Sequence, residues 1–359
     1  MLLTIRKPWN HPLLKDLLKE LNLILRVHTI LITLIFLYVT ALLFIASQYN
    51  VIDKISFSLY SKDVQLMTAL FLVSFFIGHA LYVMAFIRPE KLISYTFQDL
   101  WMNYLNRKRI LNALPIMLLL PLFMSTFTSF KSMIPIINPF SWDHAFAELD
   151  ALIGGGFQSW KLLHPIFGRP LLTSVINFFY NVWPFYIFAV LYWQSFSMSN
   201  PRLRMRFFLT FTLSWVLLGT VLATLLSSAG PCFYGRVVEG DNLYHPLMEY
   251  LMIAQKSYPI WAIDTQETLW QLYKDSGVSL GSGISAMPSM HVSMAFLFAL
   301  VGWQTHRIVG IIFSAYSILI MIGSVHLGWH YAVDGYIAIC GTWFIWRVVG
   351  FIITGQSRI

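Results

Sequence analysis

Eight long apolar stretches, all but the last free of Asp, Glu, Lys and Arg, dominate this chain, and a stretch of that length has few places to go. A helix that crosses a bilayer needs about 20 consecutive apolar residues, whereas a water-soluble core is built from short periodic runs. The stretches are Val27–Ser47, Val64–Ile87, Ile110–Phe130, Leu172–Met198, Phe207–Ser228, Met287–Gln304, Ile308–Gly328 and Tyr331–Ile353. In hydrocarbon every backbone N–H and C=O must be satisfied within the segment, so such runs fold as helices. Only 11% of the residues are charged, against roughly 25% in a soluble domain. A water-soluble globule is excluded, and an all-α polytopic membrane protein of about eight transmembrane helices is expected. Pro115 and Pro121 should kink the third helix, since each removes a backbone donor.

Positive charge sets the expected orientation, because cytoplasmic loops retain Lys and Arg. With the N-terminus inside, 16 of the 24 Lys and Arg fall on the inner side and 8 on the outer. Both termini are therefore expected in the cytoplasm. This asymmetry also accounts for the net charge of +8, and no basic tract with interleaved aromatics points to nucleic acid. Pro12 to Arg26 carries leucines at helical spacing opposite charged residues, so residues 1–26 are expected to lie along the inner membrane surface. Val27–Ser47 is a full span rather than a cleaved signal peptide. A two-span region, 27–109, precedes the catalytic membrane domain, 110–353, with Arg107, Lys108 and Arg109 at the boundary. Cys232 and Cys340 are too few for a disulfide framework, and no Cys/His cluster suggests structural zinc.

Two long loops fall on the outer side. Lys131 to Pro170 reads as short interfacial helices interrupted by Gly154, Gly155 and Gly156, while Ala229 to Ser285 is more polar. The polar residues with chemical character gather where the second loop ends. Pro288-Ser289-Met290-His291 opens the sixth span, and His330-Tyr331-Ala332-Val333-Asp334 follows the seventh, all on one membrane face. There, ionisable groups avoid the cost of about 2.5–3.5 kcal/mol or more of the bilayer centre and still meet a lipid headgroup.

These two segments resemble the PSxH and HxxxD motifs of the type 2 phosphatidic acid phosphatase superfamily, and within it the branch similar to inositol phosphorylceramide synthase. The resemblance covers roughly residues 110 to 350. It implies a six-helix core and a phosphohistidine reaction that uses neither metal nor cofactor. His330 would attack phosphorus, Asp334 would hold its imidazole in the required tautomer, and His291 would protonate the leaving alkoxide. Ser289 and backbone N–H groups at the start of the sixth helix would bind phosphoryl oxygens. The superfamily pattern also has Ser-Arg seven and six residues before the nucleophile, where this chain has Gly323 and Ser324. Its first motif, a Lys followed by Arg-Pro, is not recognisable. Gly230-Pro231-Cys232-Phe233-Tyr234-Gly235-Arg236 resembles a segment of the synthase-like branch, which makes Arg236 and Tyr234 phosphate-ligand candidates, joined by Ser324 and, more weakly, Lys256.

Simpler readings compete. His330 with Asp334 can merely anchor a helix end. His326, His330 and Asp334 at i, i+4 and i+8 would present metal ligands along one face of a continuous helix, with His291 as a fourth. His28 and His79 sit inside spans and read as neutral residues hydrogen-bonded to a neighbouring helix, with no role assigned. Asp143 and Asp150 read as solvated loop carboxylates, and Cys232 as a small packing residue. The function expected is transfer of a phosphoryl or phospho-headgroup moiety from a phospholipid or lipid-phosphate donor to a lipid or sugar hydroxyl. With water as acceptor the protein would be a lipid phosphatase acting on phosphatidic acid or a polyprenyl pyrophosphate. A transporter or lipid-binding scaffold is the alternative outside enzymes, although transporters place such residues near the midplane and often show repeated halves.

Overall fold

The computed structural model describes residues 12–275 and 277–355. Residues 1–11 of the N-terminal segment, with Arg6 and Lys7, and Arg358 of the charge count lie outside them. Among the described residues there are helices and connections and no strand. α1 (Pro12–Gln48), α2 (Ser61–Tyr82), α3 (Leu92–Asp99) and α4 (Arg107–Ile137) come first. α5 (Asp143–Ile153) and α6 (Ser159–Phe167) follow, flanking the glycine triplet, then α7 (Pro170–Asn181), α8 (Trp183–Phe196) and α9 (Pro201–Val216). Two short turns, α10 (Ala223–Leu225) and α11 (Tyr234–Val237), lead to α12 (His245–Gln255) and α13 (Trp261–Lys274). The chain ends with α14 (Met290–Thr305), α15 (Arg307–His326) and α16 (Ala332–Gly355).

Among the described residues seven segments are long and apolar enough to cross a membrane: Leu18–Gln48, Ser61–Ile87, Arg107–Ile137, Pro170–Phe196, Pro201–Leu225, Arg307–His326 and Ala332–Gly355. The eighth expected span is α14, with 16 residues. It is about 24 Å long at 1.5 Å per residue, shorter than hydropathy alone predicts. Its expected first turn, from Met287, is instead non-helical chain that ends on the cap residue Ser289. α4 continues as one helix through Pro115 and Pro121. The amphipathic stretch from Pro12 joins the first span without a break, so the two form a single helix of 37 residues.

Helix starts follow local chemistry. Asn106 caps α4 by accepting from Arg109 N at 3.1 Å, and Asn200 caps α9 by accepting from Leu203 N at 3.0 Å, with Pro201 in the first turn. α14 and α15 form a close hairpin in which a Cβ on Gly302 would lie 3.1 Å from the Gly310 Cα, a contact tight enough that the backbones would have to shift slightly to admit it. The segment Pro201–Leu225 is central, 61% buried, whereas Ser61–Ile87 is peripheral at 6%. Buried hydroxyls tie the first two helices to the rest: Tyr38 to Thr220 at 2.7 Å and Thr68 to Tyr192 at 2.9 Å. His79 pairs with Asp99 of the neighbouring α3 at 2.7 Å, whereas His28 donates to Ile24 O of its own helix at 2.8 Å rather than to a neighbour.

One end of the bundle gathers the long connections, and two acids there depart from the sequence reading. Asp143 and Asp150 are buried rather than solvated. With Phe146 and Ala147 they form the inward stripe of α5, spaced i, i+3, i+4 and i+7. Asp143 accepts from Ala229 N, Gly230 N and the Tyr331 hydroxyl at 2.8, 2.8 and 2.9 Å. Burial pushes its carboxyl above the usual range, against the three donors that favour the anion. Burial likewise raises the Tyr331 phenol, which stays a donor. Asp150 accepts from Ser159 N at 2.9 Å and from Ala332 N, in the first turn of α16, at 2.8 Å. Gly230, at φ +99°, passes so close to Trp329 that a Cβ would lie 2.7 Å from the Trp329 carbonyl oxygen. The loops are thus clamped by carboxylates because their backbone donors have no other buried partners. Asp143→Ala strands three donors and should cost about 3 kcal/mol or more. A lowered thermal midpoint of the detergent-solubilised protein measures this, while Leu152→Ala, 76% exposed on the other side of α5, should leave the midpoint unchanged.

Candidate active site

The site is assembled where α14 begins, α15 ends and α16 begins. Gly328, at φ +74°, reverses the chain after α15, and His330 follows in the turn before α16. Its backbone N–H donates to Ser324 O at 2.9 Å. Its ring Nδ1 lies 2.8 Å from the carbonyl oxygen of Ala286 and 3.3 Å from Asp334 Oδ2. A carbonyl oxygen only accepts, so Nδ1 carries the proton and Nε2 carries the lone pair. Nε2 has no hydrogen-bond partner among the described residues.

Asp334 is fully buried three residues after Tyr331. Its Oδ2 accepts from Tyr331 N at 3.1 Å, while Asp334 N donates to Tyr331 O at 3.2 Å. The first bond is the side-chain half of a capping box and the second a backbone turn, so the carboxylate satisfies an N–H at the start of α16 that the helix leaves free. The same carboxylate oxygen therefore caps α16 and faces His330. The second motif is stitched to the first through the backbone, where Ser289 N donates to Asp334 O at 3.2 Å. Ser289 is buried, and its hydroxyl accepts weakly from Val292 N at 3.5 Å.

His291 lies in the first turn of α14, its ring stacked on Tyr180 at 4.8 Å and tilted against Trp183 at 4.3 Å. No hydrogen bond to protein engages it among the described residues. The His291 and His330 ring centroids are 6.4 Å apart. Both imidazoles therefore lie close together next to a helix N-terminus, whose backbone N–H groups and dipole favour an anion.

The other predicted ligands lie elsewhere. Ser324 turns its hydroxyl back onto Met321 O at 2.8 Å and supports His330 through its main chain. Arg236 is half-exposed, pairs with Glu267 Oε2 at 2.6 Å and lies over the Trp270 ring at 5.1 Å. That hydrogen bond holds the Glu267 carboxyl below its usual range. Tyr234 is buried against Tyr244, which in turn packs on Tyr331. Lys256 is exposed. The structure thus brings His291, His330, Asp334 and Ser289 together and leaves Arg236, Tyr234 and Lys256 without a contact to the histidine pair.

The three-ligand metal ladder is not formed. Helical geometry ends at His326, whose Nε2 meets Thr173 Oγ1 at 2.9 Å. No group of three or more His, Cys, Asp or Glu among the described residues is placed to hold a metal ion. Sequence reasoning missed the Ala286 carbonyl, which as backbone leaves no compositional signal, and the aromatic pair around His291. It also missed Asp143 and Asp150, although their position on the apolar stripe of α5 was readable.

The sequence profile of the PAP2 superfamily matches residues 144–348, a span that contains Ser289, His291, His330 and Asp334. No curated protein and no solved structure matches the chain. With more than half of its length covered, including the whole histidine site, the chain belongs to the PAP2 superfamily of membrane phosphatases and phosphotransferases.

Proposed function

We propose that this protein moves a phosphoryl or phospho-headgroup moiety from a membrane lipid to a hydroxyl acceptor through a phosphohistidine on His330, in the manner of inositol phosphorylceramide synthase. The single observation that carries this reading is the His330 ring, with Nδ1–H tied to the Ala286 carbonyl and Asp334 and Nε2 left free 6.4 Å, centroid to centroid, from His291. The Nε2 lone pair attacks phosphorus, an N–P bond forms, and the bond from phosphorus to the lipid oxygen breaks. His291, protonated at that moment, gives its proton to the departing alkoxide. In the second half the acceptor hydroxyl passes its proton to His291 and attacks phosphorus, and the N–P bond breaks. Asp334 stabilises the charge that develops on the His330 ring. The first-turn N–H groups of α14, beside Ser289, take up phosphoryl oxygens.

The proposed location is the extracytoplasmic face, from the distribution of Lys and Arg along the sequence. Transfer rather than hydrolysis is favoured by the resemblance to the synthase-like branch and by α5 and α6, whose apolar outward residues give a second lipid a surface beside the site. Leu152, Ile153, Phe157 and Ile166 are all exposed there. Incubation of purified protein with labelled phospholipids, with and without hydroxyl acceptors, should give a new labelled lipid that depends on the acceptor. Release of free phosphate alone would assign the lipid phosphatase reaction instead.

His330→Ala should abolish turnover and acid-labile phosphoenzyme, whereas retained cellular function in this variant would favour a scaffold. Asp334→Asn should lower kcat by on the order of 10⁴, as loss of the orienting carboxylate does in the serine protease triad. His291→Ala should cost about 10²–10⁴ with an alkoxide leaving group. Its defect should shrink with a nitrophenyl ester, whose leaving group needs no proton. An equal loss on both substrates would remove His291 from the acid role.

A further inference from the structure

An imidazole that is partly withdrawn from water and carries a proton through a reaction needs a partner for its charge. A carboxylate, a hydrogen-bond acceptor or the face of an aromatic ring can serve. His330 has the first two, in Asp334 and the Ala286 carbonyl. His291 has neither. It is half-buried in the first turn of α14, and no ion pair or side-chain hydrogen bond engages it among the described residues.

Two aromatic rings lie against it instead. Tyr180 is stacked on the His291 ring, with 4.8 Å between centroids and 20° between planes, and Trp183 is tilted against it at 4.3 Å. Tyr180 lies in the last turn of α7 and Trp183 opens α8, on either side of the break at Val182. Both residues are buried, yet the Tyr180 hydroxyl and the Trp183 Nε1 have no hydrogen-bond partner among the described residues. A buried donor left unpaired costs stability, so what these side chains supply at the site is the ring rather than its polar tip. The room for the Tyr180 ring comes from Gly323. A Cβ there would lie 2.9 Å from Tyr180 Cδ2 and 3.2 Å from Ile176 Cγ2, so a larger residue displaces the ring. Gly323 also occupies the position, seven residues before His330, at which the superfamily pattern has serine. The departure from that motif and the aromatic contact on His291 are therefore one structural feature.

We infer that Tyr180 and Trp183 are positioning residues for His291, orienting its imidazole and pairing with its positive charge through their rings, with Gly323 leaving the space that Tyr180 needs. They do for His291 what Asp334 and the Ala286 carbonyl do for His330. The inference rests on the phosphotransfer reading and concerns the acid of that site. A ring face attracts an imidazolium without using either of its N–H groups, so both stay free to donate to substrate oxygens. A carboxylate partner would occupy one of them.

The test uses the full-length protein in detergent and compares turnover of a phospholipid, whose leaving group is an alkoxide, with that of a nitrophenyl ester. Tyr180→Leu and Trp183→Leu should each lower kcat on the lipid by about tenfold or more, as loss of a desolvated cation–π contact does, with a smaller loss on the nitrophenyl ester. Tyr180→Phe and Trp183→Phe should recover most of the lipid turnover, since the ring remains. Gly323→Ala, which displaces the tyrosine ring, should show the same selective loss and carries the comparison where a leucine variant fails to fold. In a His291→Ala background Tyr180→Leu should add little, because it acts through His291, whereas a residue that only supports the fold adds its full loss. Leucine variants impaired equally on both esters, phenylalanine variants as impaired as the leucine ones, or a Gly323→Ala protein with parental turnover of the lipid would each overturn the inference while leaving the phosphohistidine reading intact. A parent protein without turnover or phosphoenzyme overturns that reading and the inference with it.

Discussion

One buried carboxylate oxygen holds the site and the fold in the same grip. Asp334 Oδ2 receives the Tyr331 N–H that starts α16 and faces the Nδ1–H of His330. The backbone oxygen of Asp334 accepts from Ser289, which begins α14. The helix ends therefore cannot move relative to the histidine without breaking the caps that define them. In a low-dielectric interior such charge-assisted bonds are strong and an unpaired group is expensive, so the arrangement is specified rather than merely permitted.

The same logic extends outward through α5. Asp143 and Asp150 reach across the end of the bundle to the backbone at 229–230 and to Tyr331 and Ala332. On that side of the turn around His330 the backbone N–H groups of Ala229, Gly230, Tyr331 and Ala332 and the Tyr331 hydroxyl are all bonded to buried carboxylates. On the other side the pattern reverses. His330 Nε2 and the His291 ring have no hydrogen-bond partner among the described residues. On the proposed reading an anion arrives from this side, since unmatched donors and lone pairs are tolerated where a ligand supplies the match.

The break between α15 and α16 decides which chemistry the histidines can share. A continuous helix would have aligned His326, His330 and Asp334 as one face. The Gly328 reversal sends His326 toward Thr173 and Tyr250 and turns His330 toward His291. A residue spacing that suited a metal ladder thereby becomes a two-histidine site, with the aromatic rings of Tyr180 and Trp183 as the wall behind one of them.

Local chemistry determined much of this protein from sequence alone. Hydrocarbon demands internally bonded backbone, so the apolar stretches had to be helices, and their places were readable within a few residues. The residues of the histidine motifs were legible because their types and spacing are unusual at a membrane face. Partners distant in sequence were not legible. The Ala286 carbonyl, the burial of Asp143 and Asp150 and the pairing of Arg236 with Glu267 depend on which loops meet at the end of the bundle. Helix packing and closure of the chain around Gly230 and Gly328 set those meetings, and no short-range pattern encodes them. Sequence periodicity records what each segment must bury, whereas only the assembled bundle decides which polar atoms are left to bury against one another.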